Sequence, residues 1–268
     1  MNLVFMTHLS FLKNTLPLVW LDQQEALNLL YQHEVLNHKL IWACARNRDL
    51  EAYALPEHRG VLLWDPETGN LMVSVLPEGV YITPDLLKGV KTVEGPHASM
   101  KPFLEANPNQ DVLPRTSLIY TLESQHLTLD REFRRLRADD VEAANWLIEF
   151  NEETRGRTLT RAEALRMLYA TYREFYILEH RQKAAAVAAV NRWTFNYRSV
   201  SFVYVPPQSR GKGFGRRLMA SLSAFLIQEK QKKVLLFADP DNLAANQLYR
   251  SLGFEVAGEY TSLVLSEG

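Results

Sequence analysis

Three glycines alternate with basic and aromatic residues in the stretch RGKGFG, which runs from Arg210 to Gly215. The stretch follows the strand-like run SVSFVYV and precedes a helical pattern of apolar residues. A helix N-terminus leaves backbone N–H groups unpaired and carries about half a positive charge. Glycines let such groups converge on an anion without obstruction by a Cβ atom. The pattern therefore predicts a phosphate or pyrophosphate site.

The glycine pattern by itself leaves several interpretations open. A P-loop has Lys followed by Ser or Thr at the helix start, and this loop has no such pair. A dinucleotide-binding turn has the spacing G-x-G-x-x-G, whereas the spacing here is G-x-G-x-G. A capped turn with solvated basic side chains explains the glycines equally well. A nucleic-acid surface would also use the basic residues, but the net charge of −1 and the absence of an aromatic-basic stacking pattern argue against it.

A second stretch, NLAANQLYRSLGF at residues 242–254, narrows the choice. RGKGFG fits Q/R-x-x-G-x-G/A and the second stretch fits N-x-x-A-x-x-L-Y-x-x-x-G-F, two motifs of the GNAT N-acetyltransferases. They occur in the family's order, after a β-rich run and before terminal strands. The resemblance covers about residues 130–268. The chain also resembles a bacterial subgroup of predicted acetyltransferases in which an N-terminal half of related, degenerate fold comes first.

The resemblance implies acetyl-CoA as cosubstrate and no metal. In this family the fourth strand of the sheet splays from the fifth, and the pantetheine arm lies in the gap. The backbone groups of Val203, Tyr204 and Val205 would then meet the pantetheine amides. Asn242 and Asn246 would contact the cofactor arm, although Asn242 is equally suited to cap a helix. The loop residues that would hold the pyrophosphate are Arg210, Gly211, Lys212, Gly213, Phe214, Gly215 and Arg216.

Acyl transfer from a thioester expels a thiolate, which a nearby phenol can protonate. Tyr249 matches the family's tyrosine and is the predicted general acid, with a core aromatic as the alternative. An alkyl amine, with a pKa of about 10.4, must lose a proton before it attacks. Many family members use a Glu on the fourth strand, which SVSFVYV lacks. Glu152 or Glu153, expected in a loop between two helices, is the predicted base. Glu179 and His180 are further candidates; each of the four also fits a solvated charge, and a solvent-mediated exit needs no base.

The elements that position these residues follow from hydrophobic periodicity. The C-terminal half is predicted to be β-α-α-β-β-β-loop-α-β-α-β-β, with its second helix over Arg161–Phe175. We expect an α/β (α+β) fold there, in which helices flank a mixed, mostly antiparallel central sheet. The N-terminal part predicts a helix over Asp22–Val35, a hairpin over Gly60–Leu76 and a short helix over Ala98–Ala106. Two domains are expected. Residues 1–126 form an α/β domain of unknown role, for which a degenerate GNAT-like fold is one interpretation, and residues 127–268 bind acetyl-CoA.

The composition is that of a globular chain, with 47% hydrophobic and 23% charged residues. The single cysteine, Cys44, excludes an intrachain disulfide and fits a reducing cytoplasm, where we expect the protein. The first residues lack a basic start and an apolar core of signal-peptide length. No apolar run reaches the length of a membrane span. We therefore expect neither a membrane nor a nucleic-acid partner.

The predicted function is transfer of an acetyl group from acetyl-CoA to a primary amine, by direct attack in a ternary complex. The acceptor is a small molecule or a protein amine, and no motif identifies it. The alternative is a non-catalytic acyl-CoA-binding regulatory module, which would keep the loop but would have no need of Tyr249. The oligomeric state is open.

Overall fold

The computed structural model describes residues 18–78, 80, 82, 89–106, 114–123, 127–156, 158–171 and 174–265. The N-terminal stretch tested for a targeting signal and residues 124–126, next to the predicted domain boundary, lie outside this range. The chain divides into two compact units. Unit 1 comprises residues 1–119, 238–241 and 256–268, and unit 2 comprises residues 120–237 and 242–255.

Unit 1 begins with a capped helix. Asp22 Oδ1 accepts a hydrogen bond from Glu25 N at 2.8 Å, and Glu25 Oε2 accepts one from Asp22 N at 2.9 Å. This capping box starts the helix where the sequence predicts it. The α-helix ends at Leu30 and continues as a short 3-10 turn, so it is shorter than predicted. The elements are β1 (Val19–Leu21), α1 (Gln23–Leu30), α2 (His38–Arg46), β2 (Glu51–Ala54), β3 (Val61–Asp65), β4 (Asn70–Val73), β5 (Thr92–Pro96) and α3 (His97–Ala106).

Unit 2 contains all the predicted site residues. Strand β6 (Arg115–Leu122) enters it at Tyr120. Helix α6 contacts strands β7, β8 and β9, whereas α4 contacts β10. The elements that follow β6 are β7 (Phe133–Arg135), α4 (Glu142–Arg155), α5 (Arg161–Thr171), β8 (Phe175–His180), β9 (Lys183–Trp193), β10 (Tyr197–Tyr204), α6 (Phe214–Ala224), β11 (Lys233–Ala238), α7 (Leu243–Ser251) and β12 (Glu255–Val264), most of which lies in unit 1.

The two units repeat one topology. The strand order is β1-β2-β3-β4-β5-β12 in unit 1 and β7-β8-β9-β10-β11-β6 in unit 2. In each, the first three pairings are antiparallel and the fourth is parallel. Two helices follow β1 in unit 1 and β7 in unit 2. One helix follows β5 in unit 1 and β11 in unit 2. The structure confirms the predicted α/β fold with a mixed, mostly antiparallel sheet.

The core of unit 2 holds the site's strands in place. Leu136 and the α4 and α5 side chains Ala143, Ala144, Trp146, Leu147, Ala164 and Leu168 pack on Phe175, Ile177, Val187, Ala189 and Tyr204. All of these residues are buried. Burial of one such aliphatic or aromatic side chain contributes about 1.5–3 kcal/mol. Tyr204, the last residue of β10, is part of this core, so its backbone position is determined by packing.

Two element ends differ from the sequence-based prediction. Helix α5 ends at Thr171 and Phe175 opens β8, because its side chain joins the apolar face of the sheet. The segment after α7 forms the single strand β12, although two strands are predicted there. The predicted hairpin over Gly60–Leu76 is confirmed as β3 and β4.

Replacing Asp140 with Asn should lower the free energy of unfolding at pH 7 by about 1–3 kcal/mol. Asp140 accepts hydrogen bonds at 2.7 and 2.8 Å from the guanidinium of Arg134, and these bonds hold its pKa below the usual range. Because the pKa is lowered, the contribution is present above the unfolded pKa of about 3.9 and is lost as the pH falls through the folded pKa.

Denaturant titrations at neutral and acidic pH test this, with Asp139→Asn as the matched neighbour because Asp139 is exposed. An equal effect of both substitutions, or a difference that does not shrink in acid, would contradict the expectation.

Candidate active site

The parallel pair β10–β11 opens before β10 ends. In the described strands its register stops at the pair Val200↔Leu236, although β10 continues to Tyr204. On the β9 side the register shifts near Phe202, whose φ is 50°. A bulge of this kind bends its strand. The predicted residues Val203 and Tyr204 therefore lie beyond the last pair of β10 and β11.

The glycine-rich loop begins directly after this strand end. Gly211 and Gly213 have φ of 74° and 77°, in the left-handed region that favours glycine. A Cβ atom added to either residue would meet nothing within 4 Å. Gly213 is the N-cap of α6, which begins at Phe214. The first N–H groups of an α-helix thus point into open space beside two residues without side chains, as an anion site requires.

Gly215 is in a closer environment. A Cβ atom there would lie 3.3 Å from Leu248 Cδ1 of α7 and 3.3 Å from Val205 Cγ2. The missing side chain lets α6 begin near α7 and the end of β10. The third glycine of the motif thus serves helix packing, and the first two serve the loop conformation.

The basic side chains of the loop are engaged by the protein. Arg210 Nε donates to the Val205 carbonyl at 2.9 Å, and its Nη2 donates to both carboxylate oxygens of Glu153 at 2.8 and 2.7 Å. Lys212 Nζ donates to the Gln208 carbonyl at 2.8 Å. Arg216 donates to the side chain and carbonyl of Ser251. The backbone N–H groups of the loop, more than these side chains, therefore remain available to bind an anion.

Sequence reasoning missed Glu149, which lies one turn before Glu153 on α4. Its Oε2 accepts a hydrogen bond from the Tyr204 hydroxyl at 2.7 Å, and Glu153 Oε1 lies 3.3 Å from the same hydroxyl. Burial, followed by the hydrogen bond to Glu149, raises the pKa of Tyr204. The four-residue spacing of Glu149 and Glu153 places both on one helix face, which was the available signal. This face is tied to the end of β10 and to Arg210.

The predicted base candidates do not lie in a loop. Glu152 and Glu153 belong to the last turns of α4, with exposed side chains. The helix runs to Arg155 because Gly156, with φ of 60°, forms its C-cap. Glu179 accepts from Arg134 at 2.7 Å, and His180 lies 3.9 Å from Glu132, so the structure engages both further candidates in ion pairs.

Helix α7 positions the second motif. Asn242 is its N-cap, and Asn242 Oδ1 accepts from Ala245 N at 3.0 Å, which is the capping alternative raised by the sequence. Asn246 and Tyr249 lie on the buried side of the helix. The Tyr249 ring contacts Phe254 and Tyr120, with centroids 5.8 and 5.7 Å away. Burial, with a smaller contribution from Tyr120, raises the pKa of Tyr249 to about 12.

A polar, open cavity of about 1040 Å³ adjoins the loop. Its walls come from the start of α4, the β8–β9 turn and the loop before α6. Among the lining residues are Glu149, Glu179, His180, Ser209, Lys212 and Phe214. The cavity is large enough for part of a ligand held by the loop.

Replacing Glu153 with Gln should weaken acetyl-CoA binding by about 3- to 10-fold if Arg210 anchors the loop. Arg210 joins Glu153 to the Val205 carbonyl and lies over the Tyr204 ring at 5.6 Å, so losing the ion pair loosens the loop. The exposed pair adds little to global stability, so the melting temperature should change little. Calorimetric titration with acetyl-CoA measures the effect.

The sign of the change is diagnostic. Tighter binding would mean that Arg210 leaves Glu153 to meet the pyrophosphate, which contradicts the anchoring role. A lower kcat at unchanged affinity would instead favour Glu153 as the base. Glu152→Gln is the matched comparison, because it removes the adjacent carboxylate of the same helix.

Within the described ranges, no group of three or more His, Cys, Asp or Glu side chains is placed to hold a metal ion. Among the helices that can be described, none has the length and apolar character that a bilayer span requires. Cys44 is buried in unit 1, and burial raises the pKa of its thiol to about 11. A thiol of that pKa is a poor nucleophile at neutral pH.

Comparison with known proteins assigns the unit that carries this site. Residues 138–254 match the acetyltransferase (GNAT) family. A mycothiol acetyltransferase from Kocuria rhizophila is 49% identical over 53 residues, which is 20% of this chain. The match spans only 18% of the length of that relative.

Solved structures share the fold at low identity. A GCN5-related N-acetyltransferase from Sphaerobacter thermophilus has a TM-score of 0.62 at 15% identity and covers 94% of this chain and 96% of its own. A tandem GNAT protein from the clavulanic acid biosynthesis pathway has a TM-score of 0.52 at 12% identity, covering 94% of this chain and 99% of its own. Residues 138–254 thus match the GNAT acetyltransferase family, and the solved structures share the fold of the chain.

Proposed function

We propose that the protein is an acetyl-CoA-dependent N-acetyltransferase that acetylates a primary amine by direct attack in a ternary complex. The observation that carries this proposal is that the pairing of β10 with β11 ends before β10 does, next to a glycine loop that is open where α6 begins. An elongated ligand with a thioester at one end and a pyrophosphate at the other fits such a strand end followed by such a cradle. The GNAT match supports the same ligand.

Each part of the site would act on a different part of acetyl-CoA. The N–H groups from Gly211 to Arg216, including Lys212, Gly213, Phe214 and Gly215, would bind the pyrophosphate at the positive end of α6. The N–H group of Arg210, predicted to join them, already donates to the Pro207 carbonyl at 3.2 Å. The backbone of Val203 to Val205 would bind the pantetheine amides. Asn246, buried on α7, would contact the arm. Asn242 would do so through its amide nitrogen, since its Oδ1 caps the helix.

Tyr249 would be the general acid. Attack by the amine nitrogen forms the C–N bond and breaks the C–S bond, and the hydroxyl of Tyr249 gives its proton to the departing sulfur. No hydrogen bond of this hydroxyl is recorded among the described residues, so the proton is available. A positioned acid of this kind contributes about 10²- to 10⁴-fold in rate.

Glu152 or Glu153 stays the proposed base. Glu153 is held in an ion pair with Arg210, whereas Glu152 has no such guanidinium partner among the described contacts. The alternative is release of the amine proton through water in the cavity beside Glu149, which would need neither carboxylate.

We further propose that the N-terminal part, predicted as residues 1–126, is a degenerate GNAT-like domain that binds no acetyl-CoA. Its topology repeats that of unit 2, but its parallel pair stays closed: a Cβ atom added to Gly95 of β5 would lie 2.4 Å from the Val73 carbonyl. The N–H groups that follow β4 are also occupied. Val75 N donates to Asn37 Oδ1, and Leu76 N donates to Ser99 Oγ, both at 3.0 Å.

The acceptor class is a primary amine, on a small molecule or a protein. The name of the Kocuria relative points towards a small thiol-containing acceptor, although that match spans a short segment. An acceptor screen that follows release of the CoA thiol tests this, beginning with amine precursors of low-molecular-weight thiols.

Titration of the full chain with acetyl-CoA tests the core of the proposal. We expect one site per chain and acceptor-dependent thiol release. Binding without turnover for any amine would favour the non-catalytic regulatory module, and two sites per chain would contradict the closed state of unit 1.

A further inference from the structure

A second tyrosine, Tyr120, is buried beside Tyr249. It lies on β6 with none of its surface exposed. Its hydroxyl has no hydrogen-bond partner among the described residues. A buried hydroxyl without a partner destabilises the folded state, and such groups in native structures call for an explanation. A Phe at this position would fill the same space without that cost.

The ring of Tyr120 lies beside the ring of the proposed acid, and the two hydroxyls form no hydrogen bond with each other in this structure. The ring centroids of Tyr120 and Tyr249 lie 5.7 Å apart, with 53° between the planes. Tyr249 is 7% exposed, so most of its surface is withdrawn from water. When Tyr249 gives up its proton, a negative charge appears on a phenol oxygen in this largely buried site. Such a charge needs a hydrogen-bond donor.

We propose that Tyr120 is a positioning residue whose hydroxyl donates a hydrogen bond to the Tyr249 oxygen as Tyr249 protonates the departing thiolate. Tyr120 keeps its own proton throughout. The proton of Tyr249 moves to the sulfur, and Tyr249 regains a proton from solvent, into which the amine has released one. This inference rests on the proposed acetyltransferase function.

Tyr249 needs such a donor because it is a weak acid. Burial raises its pKa to about 12. A thiol has a pKa of about 8.5, so proton transfer from such a phenol to the thiolate is unfavourable without stabilisation of the phenolate. Tyr120 precedes the segment that matches the GNAT family, residues 138–254, so the family match does not supply this residue.

The test is Tyr120→Phe, alone and combined with Tyr249→Phe. We expect kcat to fall about tenfold, equivalent to about 1.4 kcal/mol, with the KM for acetyl-CoA changed less than about twofold. The melting temperature should stay equal or rise, since an unpartnered buried hydroxyl is removed. In the Tyr249→Phe background the second substitution should have no further effect.

Two results would overturn the proposal: an unchanged kcat in Tyr120→Phe, or the same loss with and without Tyr249. Tyr176→Phe is the matched control, because Tyr176 is also buried in unit 2 but its hydroxyl accepts from Arg135 at 3.1 Å.

A readout without turnover separates this proposal from the proposed function. In NMR spectra of isotope-labelled tyrosine, the ring-carbon signal next to the Tyr249 hydroxyl, assigned with Tyr249→Phe, should shift in Tyr120→Phe and not in Tyr176→Phe. That shift in a protein that acetylates no amine would refute the function and leave the contact standing. No shift would refute the contact.

Discussion

Replacing Tyr249 with Phe is expected to lower kcat by about 100-fold or more, while the affinity for acetyl-CoA changes less than about twofold. The ring packs on Tyr120 and Phe254, and Phe preserves both contacts. Only the hydroxyl is lost, and with it the proposed proton donor for the thiolate. The fold should be unaffected, so the loss belongs to chemistry.

Steady-state rates and calorimetric binding, measured on one preparation, test this expectation. Tyr169→Phe on α5 is the control, because its side chain is 52% exposed and has no part in the site. Unchanged turnover would show that Tyr249 is not the general acid and that its ring serves only the packing of the core. A loss of binding equal to the loss of rate would mean that the hydroxyl holds the cosubstrate.

The wild-type pH profile offers an independent check. Since the pKa of Tyr249 is raised to about 12, its ionisation should not limit kcat at any pH up to about 10. Because the folded pKa exceeds the unfolded value of about 10, burial of this group costs stability only as the pH rises above about 10.

Replacing Gly213 with Val should weaken acetyl-CoA binding by about 100-fold. Gly213 has φ of 77° as the N-cap of α6, a conformation that a β-branched residue resists. The substitution would turn the first N–H groups of the helix away from their common point and place a side chain in the open cradle. Loss of hydrogen bonds to a charged group accounts for about 1.5–3 kcal/mol, which is roughly 10- to 150-fold.

The control is Gly156→Val, which carries the same backbone strain elsewhere. Gly156 has φ of 60° at the C-cap of α4, and a Cβ atom there also meets nothing within 4 Å. Both variants should lose similar stability, whereas only Gly213→Val should lose affinity. If the two variants bind acetyl-CoA equally well, the loop is a structural turn and the anion site lies elsewhere.

The sequence predicts the elements around the site well because their signals are local. Asp22 and Glu25 start α1 through contacts three residues apart, and the glycines of RGKGFG mark the loop by their backbone conformations. The ends of helices and strands were less predictable where they depend on packing against residues distant in sequence. Phe175 opens a strand because it packs on α4 and α5, a contact that no local pattern contains.

The partners of individual side chains could not be predicted from the sequence, because the paired residues are far apart in the chain. Arg210 and Glu153 are 57 residues apart, and Tyr204 and Glu149 are 55 residues apart. Both contacts, the ion pair and the hydrogen bond, depend on the packing of α4 against β10. The sequence consequently predicted a loop for Glu153 and did not single out Glu149.

The sequence by itself determined the two motifs and their order, because glycine spacing and helix capping are encoded over a few residues, and the family resemblance of the motifs predicted the class of ligand. Only the tertiary structure decided that the N-terminal part repeats the topology of unit 2, that its parallel strands stay closed at Gly95, and that Tyr120 lies against Tyr249. Each of these depends on strands far apart in the chain. Such contacts form only when the whole core is packed, so no short stretch of sequence records them.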